Sequence, residues 1–221
     1  MIIYNNIKNK ISKILRPKGK YSFLSTLCNR AEIFDIGCGN NSAYKIKCSF
    51  PNFIYTGIDI GEVDLEKPNS ADYFISTSPS EFSSEIARFK NIFDAVVSSH
   101  NLEHCDKRIE TINAMLDSIK PGGVIYMSFP CESSINFPKR YGTLNYYDDP
   151  THQYGPPDLM QCVSILKSKG FEITYLSKRY KPFLLFLIGF LMEPFSIIKK
   201  RVFFGTWEYH GFESIIWAKK Y

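Results

Sequence analysis

Apolar and polar positions along the 221-residue chain fall into two periods. Short apolar runs that stop at glycine, aspartate, serine or proline occur at 32–36, 53–58, 72–76, 93–97 and 124–129. Runs of that length, bounded by turn residues, read as buried strands. Alternation of Phe171, Ile173 and Tyr175 adds a strand, and Phe212 to Lys219 supplies the last one. Between these runs the spacing becomes helical. Ser78-Pro79-Ser80-Glu81 joins a cap serine, a proline at the first helical position and a glutamate three residues after the cap, and Phe82, Ile86 and Phe89 follow. Ile109, Ile112, Leu116 and Ile119 mark a helix from a cap at Asp106 to a stop at Pro121-Gly122-Gly123. Leu159, Val163 and Leu166 mark another, with Lys167 and Lys169 in its last turn and Gly170 as its stop.

Strands that alternate with helices require crossover connections, hence an α/β fold with a mostly parallel sheet covered by helices on both faces. The length favours a single domain over 1–221. Three segments stand apart from that scheme. Residues 1–30 carry Ile3, Ile7, Ile11, Ile14 and Leu15 at helical spacing among Lys8, Lys10, Lys13, Arg16, Lys18 and Lys20, a basic helical extension that either packs on its own domain or meets a membrane surface. Residues 131–157 show no period but many aromatics, prolines and charges, and a loop that long is usually functional or mobile, here an acceptor or lid loop. Residues 181–205 contain the apolar run Phe183 to Met192 between Lys181-Pro182 and Glu193-Pro194, an apolar helical insertion before the last strand. The run falls short of the ~20 residues that cross a bilayer, so it reads as a buried helix first and an interfacial one second.

Composition narrows the class further. With 44% hydrophobic and 22% charged residues the chain lies near the globular average, which excludes disorder and low-complexity classes. The net charge of +5 is modest and no RNA-binding module is evident, so no nucleic-acid partner is expected. Six scattered cysteines without a C-x-x-C pair, and no secretory signal, point to reduced thiols and a cytoplasmic location, with the inner membrane face as a variant of it.

The candidate chemistry gathers at the carboxyl ends of the predicted strands, where open parallel sheets bind ligands. Gly37-Cys38-Gly39 allows close backbone approach, Asp35 precedes it, and Asp59 follows about twenty residues later, where a carboxylate can accept both hydroxyls of a ribose. Two cofactor classes fit. A dinucleotide wants G-x-G-x-x-G or A, but the third place is Ser42 and Asp35 would repel a pyrophosphate. S-adenosylmethionine carries an ammonium and a sulfonium, which Asp35 suits. After the fourth strand, Ser99-His100-Asn101-Leu102-Glu103-His104 matches the inverted zinc-protease pattern H-x-x-E-H. Its histidines straddle a strand end and a turn rather than one helix face, so no metal is assigned, although an optional divalent ion at Glu103 and His104 stays open.

Asp35-Ile36-Gly37-Cys38-Gly39, Asp59 after Tyr55-Thr56-Gly57-Ile58, Phe93 to His104, and Lys120-Pro121-Gly122-Gly123 before a strand together resemble the class I S-adenosylmethionine-dependent methyltransferases, of the small-molecule type. The ordered set covers roughly 31 to 130, and Asp149-Pro150-Thr151-His152-Gln153 with Lys169-Gly170-Phe171 resembles the later part of the family. The resemblance implies a Rossmann-like, doubly wound seven-stranded sheet with an antiparallel last strand, and S-adenosyl-L-methionine as cofactor with S-adenosyl-L-homocysteine as product. It assigns Asp35, Gly37 and Gly39 to the methionine part, Asp59 to the ribose, Ile60 to the adenine and Ser98 to the cofactor amino group. Where the family often has an adenine-contacting acid, this chain has Ile75-Ser76-Thr77-Ser78.

An oxygen acceptor benefits from a base, and imidazole titrates near neutrality. His100, nearest the cofactor by motif, and His152, in the long loop, are the candidates; a loop-stabilising hydrogen bond is the equal alternative for His152. Tyr147, Asp149 and Arg140 in the same loop could hold a sugar. The expected acceptor is therefore a small molecule, a hydroxyl of a sugar or of a nucleotide- or lipid-linked surface-glycan precursor, with peripheral membrane contact as a possible partner interaction. A quinone, phosphorylated or amine acceptor is an alternative, as are an NAD-dependent sugar-nucleotide oxidoreductase and a non-catalytic nucleoside-binding protein.

Overall fold

The computed structural model describes residue 11 and residues 13–61 and 70–221. Much of the predicted basic extension, including Ile3, Ile7, Lys8 and Lys10, lies outside the described residues. Seven strands form one sheet: β1 (Glu32–Ile36), β2 (Ile54–Ile60), β3 (Tyr73–Thr77), β4 (Phe93–Ser99), β5 (Ile119–Pro130), β6 (Phe171–Ser177) and β7 (Glu213–Lys220). Their order is β3-β2-β1-β4-β5-β7-β6. β7 runs antiparallel to both β5 and β6, and the other pairings are parallel. The seven-stranded Rossmann-like sheet expected from the resemblance is therefore present, and the order reverses between β1 and β4.

Besides helical residues at 11 and 13–15, the helices are α1 (Lys20–Leu24), α2 (Ser42–Ser49), α3 (Phe82–Ala87), α4 (Arg108–Ser118), α5 (Leu159–Ser168), α6 (Phe183–Lys199) and α7 (Thr206–His210). The period-two pleat sorts each strand's side chains onto two cores. Phe34, Ile36, Val96 and Met127 meet α3, α4 and α5 on one face through Ile86, Met115 and Leu166. Ile33, Tyr55, Val97 and Tyr126 meet α1 and α2 on the other through Phe23, Leu24 and Ile46.

Several predicted boundaries move. The Ser78–Glu81 segment is a turn before α3, closed by the Glu81 amide on the Ser78 carbonyl and the Ser78 hydroxyl on the Glu81 carboxylate, so Ser78 is not the helix cap. α4 starts at Arg108 after Lys107, while Asp106 Oδ1 accepts the Lys107 amide. Lys120-Pro121-Gly122-Gly123 joins β5 instead of standing before it, because Phe93 pairs with Ile119 across a register shift.

The largest correction concerns the apolar run. α6 extends through Glu193-Pro194 to Lys199, and only Leu185, Gly189 and Ser196 are buried. Phe183 is 72% and Ile198 74% exposed, with Leu187, Phe190, Leu191 and Phe195 exposed between them. Burial was the first expectation, and it fails because α6 is held chiefly by the small α7, through a close approach in which a Cβ on Gly189 would lie 2.0 Å from the Gly205 carbonyl oxygen. The long loop is also more ordered than its missing period suggests. It contains two 3-10 turns, Glu132–Asn136 and Tyr146–Asp148, the second closed by an Asn145/Asp148 capping box.

Candidate active site

A cavity of about 510 Å³ opens where β1, β2 and β4 end. Gly37, Asp59, Ile60, His100 and Asn101 come to it from the strand ends, Phe82 and Ser83 from α3, and Thr151, Gln153 and Tyr154 from the long loop. The glycine turn is built for close approach. Gly37 has φ +69°, and a Cβ there would sit 2.3 Å from Asn101 Oδ1. Asp59 locks the turn to β2: its Oδ2 accepts the Gly39 amide at 2.5 Å and its Oδ1 the Ile60 amide at 2.7 Å. A carboxylate has about four lone-pair sites, so two remain for hydroxyls.

Asp35 is placed differently from its assignment. The pleat turns it away from Phe34 and Ile36, onto the α2 face, where it is buried off the cavity wall. Its Oδ2 accepts the Tyr55 hydroxyl at 2.8 Å and the Ser42 hydroxyl at 2.5 Å, with Lys20 Nζ 3.9 Å away. Burial, with the Asp35 charge beside it, drives the Tyr55 hydroxyl far above its ordinary range, so the phenol stays a donor to the carboxylate. Ser42, in the third place of the glycine pattern, thus ties α2 to β1. Ser98 is buried off the wall as well, and its Oγ has no hydrogen-bond partner. Ser76, in the segment that stands where the family often has an adenine-contacting acid, donates to the Gly61 carbonyl at 2.7 Å.

His100 reaches the wall with φ +53°, its amide on the Ser128 carbonyl. Its Nδ1 lies 3.1 Å from Glu103 Oε1 and its Nε2 2.7 Å from Glu213 Oε1, and Glu213 also holds Arg16. Both ring nitrogens are therefore engaged by carboxylates, which leaves neither free to face an acceptor. His152 is 6% exposed and lies behind the wall, its Nδ1 2.6 Å from the Tyr146 carbonyl and its ring stacked on Tyr146. The loop-stabilising alternative is what the geometry presents. His104 is exposed on the wall instead, its Nδ1 3.1 Å from Thr151 Oγ1.

The three proposed substrate residues do not line the cavity. Tyr147 is exposed with its ring edge-on to Tyr146. Asp149 accepts the Thr151 amide and hydroxyl; burial works against its carboxylate, but those bonds outweigh it and hold the carboxyl below its ordinary range. Arg140 is buried and forks onto Glu193, 2.7 Å to each oxygen, with Ser196 Oγ at 2.6 Å. It ties the loop to α6. Sequence reasoning missed Asn101, Thr151 and Glu213. Asn101 could have been found as the first residue beyond the Ser98-Ser99-His100 corner; Glu213 had no local signal, since its partner is 113 positions away.

A family model described as a methyltransferase domain matches residues 8–176. The chain belongs to that family. Among curated relatives of this methyltransferase domain, a ubiquinone biosynthesis O-methyltransferase from Saccharophagus degradans is 31% identical over 105 residues, 44% of this chain and 42% of the relative. A malonyl-[acyl-carrier protein] O-methyltransferase from Buchnera aphidicola is 29% identical over 117 residues, 51% and 45% respectively. The matches thus span less than half the length of these relatives. Among solved structures, a SAM-dependent methyltransferase from Archaeoglobus fulgidus superposes with TM-score 0.58 at 17% identity, over 98% of this chain and 94% of that one. One from Mesorhizobium loti does so with TM-score 0.61 at 14% identity, over 90% and 96%. At those identities the likeness is one of fold, and it agrees with the strand order above.

Proposed function

We propose that the protein is an S-adenosylmethionine-dependent methyltransferase acting on an oxygen of a small molecule. The observation that carries this reading is the meeting of Gly37, Asp59, Ile60 and Asn101 at one cavity where the sheet order reverses. These residues fit the cofactor: Asp59 has spare acceptor sites for a ribose diol, half-exposed Ile60 offers an apolar surface to adenine, and Gly37 and Gly39 leave backbone space for the methionine part. Asp35 stabilises the turn from beneath, and its charge favours a cationic ligand above it. Bound S-adenosylmethionine supplies an electrophilic methyl group on a sulfonium. The chain's share is alignment, the term that dominates such a displacement, through a wall of His104, Thr151, Gln153 and Tyr154 facing the acceptor.

A sugar-derived hydroxyl is the first acceptor class, supported by this polar and aromatic wall. A quinone-type ring precursor is the second, favoured by the exposed apolar face of α6 and by the ubiquinone biosynthesis relative. No helix among the described residues is long and apolar enough to cross a membrane. The α6 face instead fits an anionic bilayer surface. Phe183, Leu187, Phe190, Leu191 and Ile198 lie on one stripe, flanked by Lys181, Lys199, Lys200 and Arg201, while the helix's one acid, Glu193, is turned inward onto Arg140.

Thermal scanning with S-adenosylhomocysteine, NAD and NADP tests the cofactor: only the first is expected to raise Tm. Labelled S-adenosylmethionine offered with nucleotide sugars, quinone precursors and RNAs tests the acceptor. Stabilisation by NAD alone, or methylation of RNA alone, would overturn the reading.

A further inference from the structure

Behind the acceptor wall, three side chains from two distant segments converge. A ring nitrogen of His104, a ring nitrogen of His152 and a carboxylate oxygen of Glu103 lie within 4.8 Å of one another. The hydrogen bonds around them show which nitrogen of each ring is already engaged. The Thr151 hydroxyl donates to Asp149 Oδ1 at 2.5 Å, so it accepts from His104 Nδ1 at 3.1 Å. His152 Nδ1 donates to the Tyr146 carbonyl. With Nδ1 engaged in each ring, Nε2 is the nitrogen left to offer a lone pair to a cation.

Glu103 supplies the second observation. It is 1% exposed, and although Oε1 meets His100, Oε2 is buried with no hydrogen-bond partner. A buried carboxylate oxygen left without a partner is costly and calls for a counter-ion or donor.

We infer that Glu103, His104 and His152 form a binding site for a first-row divalent cation, zinc foremost, with an open coordination position toward the cavity. Two imidazoles and one carboxylate are the ligand set of open zinc sites. Histidine ligands are usually oriented by a carbonyl or carboxylate on the other ring nitrogen, as Tyr146 does directly and Asp149 does through Thr151. Bonds of about 2.0–2.2 Å bring ligand atoms to roughly 3.4 Å apart, so the three side chains draw together from within 4.8 Å when an ion binds. The charges agree as well. Asp149 Oδ2, 4.0 Å from His152 Nε2, joins Glu103 as a second anion, and the neighbouring Arg108 is committed to the Leu102 and Glu103 carbonyls.

The H-x-x-E-H letters are thus used in a different way from a protease. His100 is excluded by its two carboxylates, and His152, from the long loop, takes its place. Resting on the methyltransferase reading, the open position selects acceptors whose hydroxyl has a neighbouring oxygen able to chelate.

The test strips the full chain with chelator, then titrates Zn²⁺ calorimetrically and Co²⁺ by its visible absorption, measuring the S-adenosylhomocysteine Tm shift on the same samples. One ion per chain is expected, with at least about tenfold weaker binding in His104→Ala and Thr151→Val, both on the cavity wall and therefore safe for folding. The Tm shift should be present in the stripped wild type as well as in the metal-loaded one. Absence of tight Zn²⁺ binding in the wild type, or binding that neither variant weakens, overturns the site. Loss of the Tm shift in the wild type would count against the cofactor reading, separately from the metal.

Discussion

Alanine at Gly37 and at Gly39 should separate backbone strain from collision. Both glycines adopt left-handed φ, +69° and +57°, which costs a residue with a Cβ about 1–2 kcal/mol. A Cβ on Gly39 meets nothing within 4 Å, so strain is its whole penalty. A Cβ on Gly37 would lie 2.3, 2.5 and 2.7 Å from Asn101 Oδ1, Cγ and Cβ. Asn101 is buried, and such overpacking adds about 1–3 kcal/mol. Urea unfolding should therefore show losses of about 1–2 kcal/mol for Gly39→Ala and about 2–5 kcal/mol for Gly37→Ala. Each kcal/mol corresponds to about 2–4 °C in Tm at this size. Displaced Asn101 must move into the cavity, so ligand binding should fall too. S-adenosylhomocysteine at a hundredfold excess over Kd stabilises by about 2.7 kcal/mol, and a hundredfold weaker Kd reduces that to about 0.4 kcal/mol. Equal losses for the two variants, or full ligand stabilisation of Gly37→Ala, would refute the reasoning.

Arg140→Met should cost about 3–5 kcal/mol, because it leaves Glu193 and Ser196 without the buried fork. Burial raises the Glu193 carboxyl, but Arg140 and His210 outweigh it and hold it below the usual 4.5, so its stabilisation is complete above that value and lost as pH falls through the lower folded value. Urea titrations across acid pH should show that limb flattened in Arg140→Met. Burial, against Glu193, lowers His210 below 6.5, so the unfolded chain takes up that proton first and stability should already decline as pH falls below 6.5. Burial pushes the thiols of Cys38 and Cys162 up to about 12 and that of Cys105 up to about 11, so a thiol reagent should label exposed Cys28 first and those three only on unfolding. Phe190→Ser with Ile198→Ser should abolish sedimentation with anionic vesicles and leave the S-adenosylhomocysteine Tm shift intact; unchanged sedimentation would remove α6 as the contact surface.

The sheet was legible because its strands carry their own signal. Phe34, Ile36 and Val96 form one core and Ile33 and Val97 the other, a period-two pattern that needs no partner to be read. That Gly37 and Asp59 would meet at one cavity was legible because both stand at the carboxyl ends of readable strands. Roles that depend on direction were not. Whether Asp35 faces the cavity or α2 depends on strand phase and on the Tyr55 and Ser42 hydroxyls, and whether His152 faces a substrate depends on the Tyr146 carbonyl. α6 misled for a related reason: a run apolar all round predicts burial, but period alone does not say what covers it.

The two segments that lacked a clear reading in sequence are mechanically one unit. Arg140 and His210 grip Glu193 from the loop and from α7, and Trp207 of α7 donates to the Thr143 carbonyl, so α6, α7 and the first half of the loop are joined by part-buried polar bonds. The second half of the same loop carries Thr151 onto His104 and His152 onto Tyr146 at the cavity. Asp148 connects the halves by accepting the Arg140, Leu144 and Asn145 amides with one oxygen. Arg140 and Asp148 thus connect α6 by hydrogen bonds to the loop that carries Thr151 to the cavity wall. Any coupling between vesicle contact at α6 and acceptor binding at the cavity must be reciprocal: if vesicles tighten acceptor binding, acceptor tightens vesicle binding by the same factor.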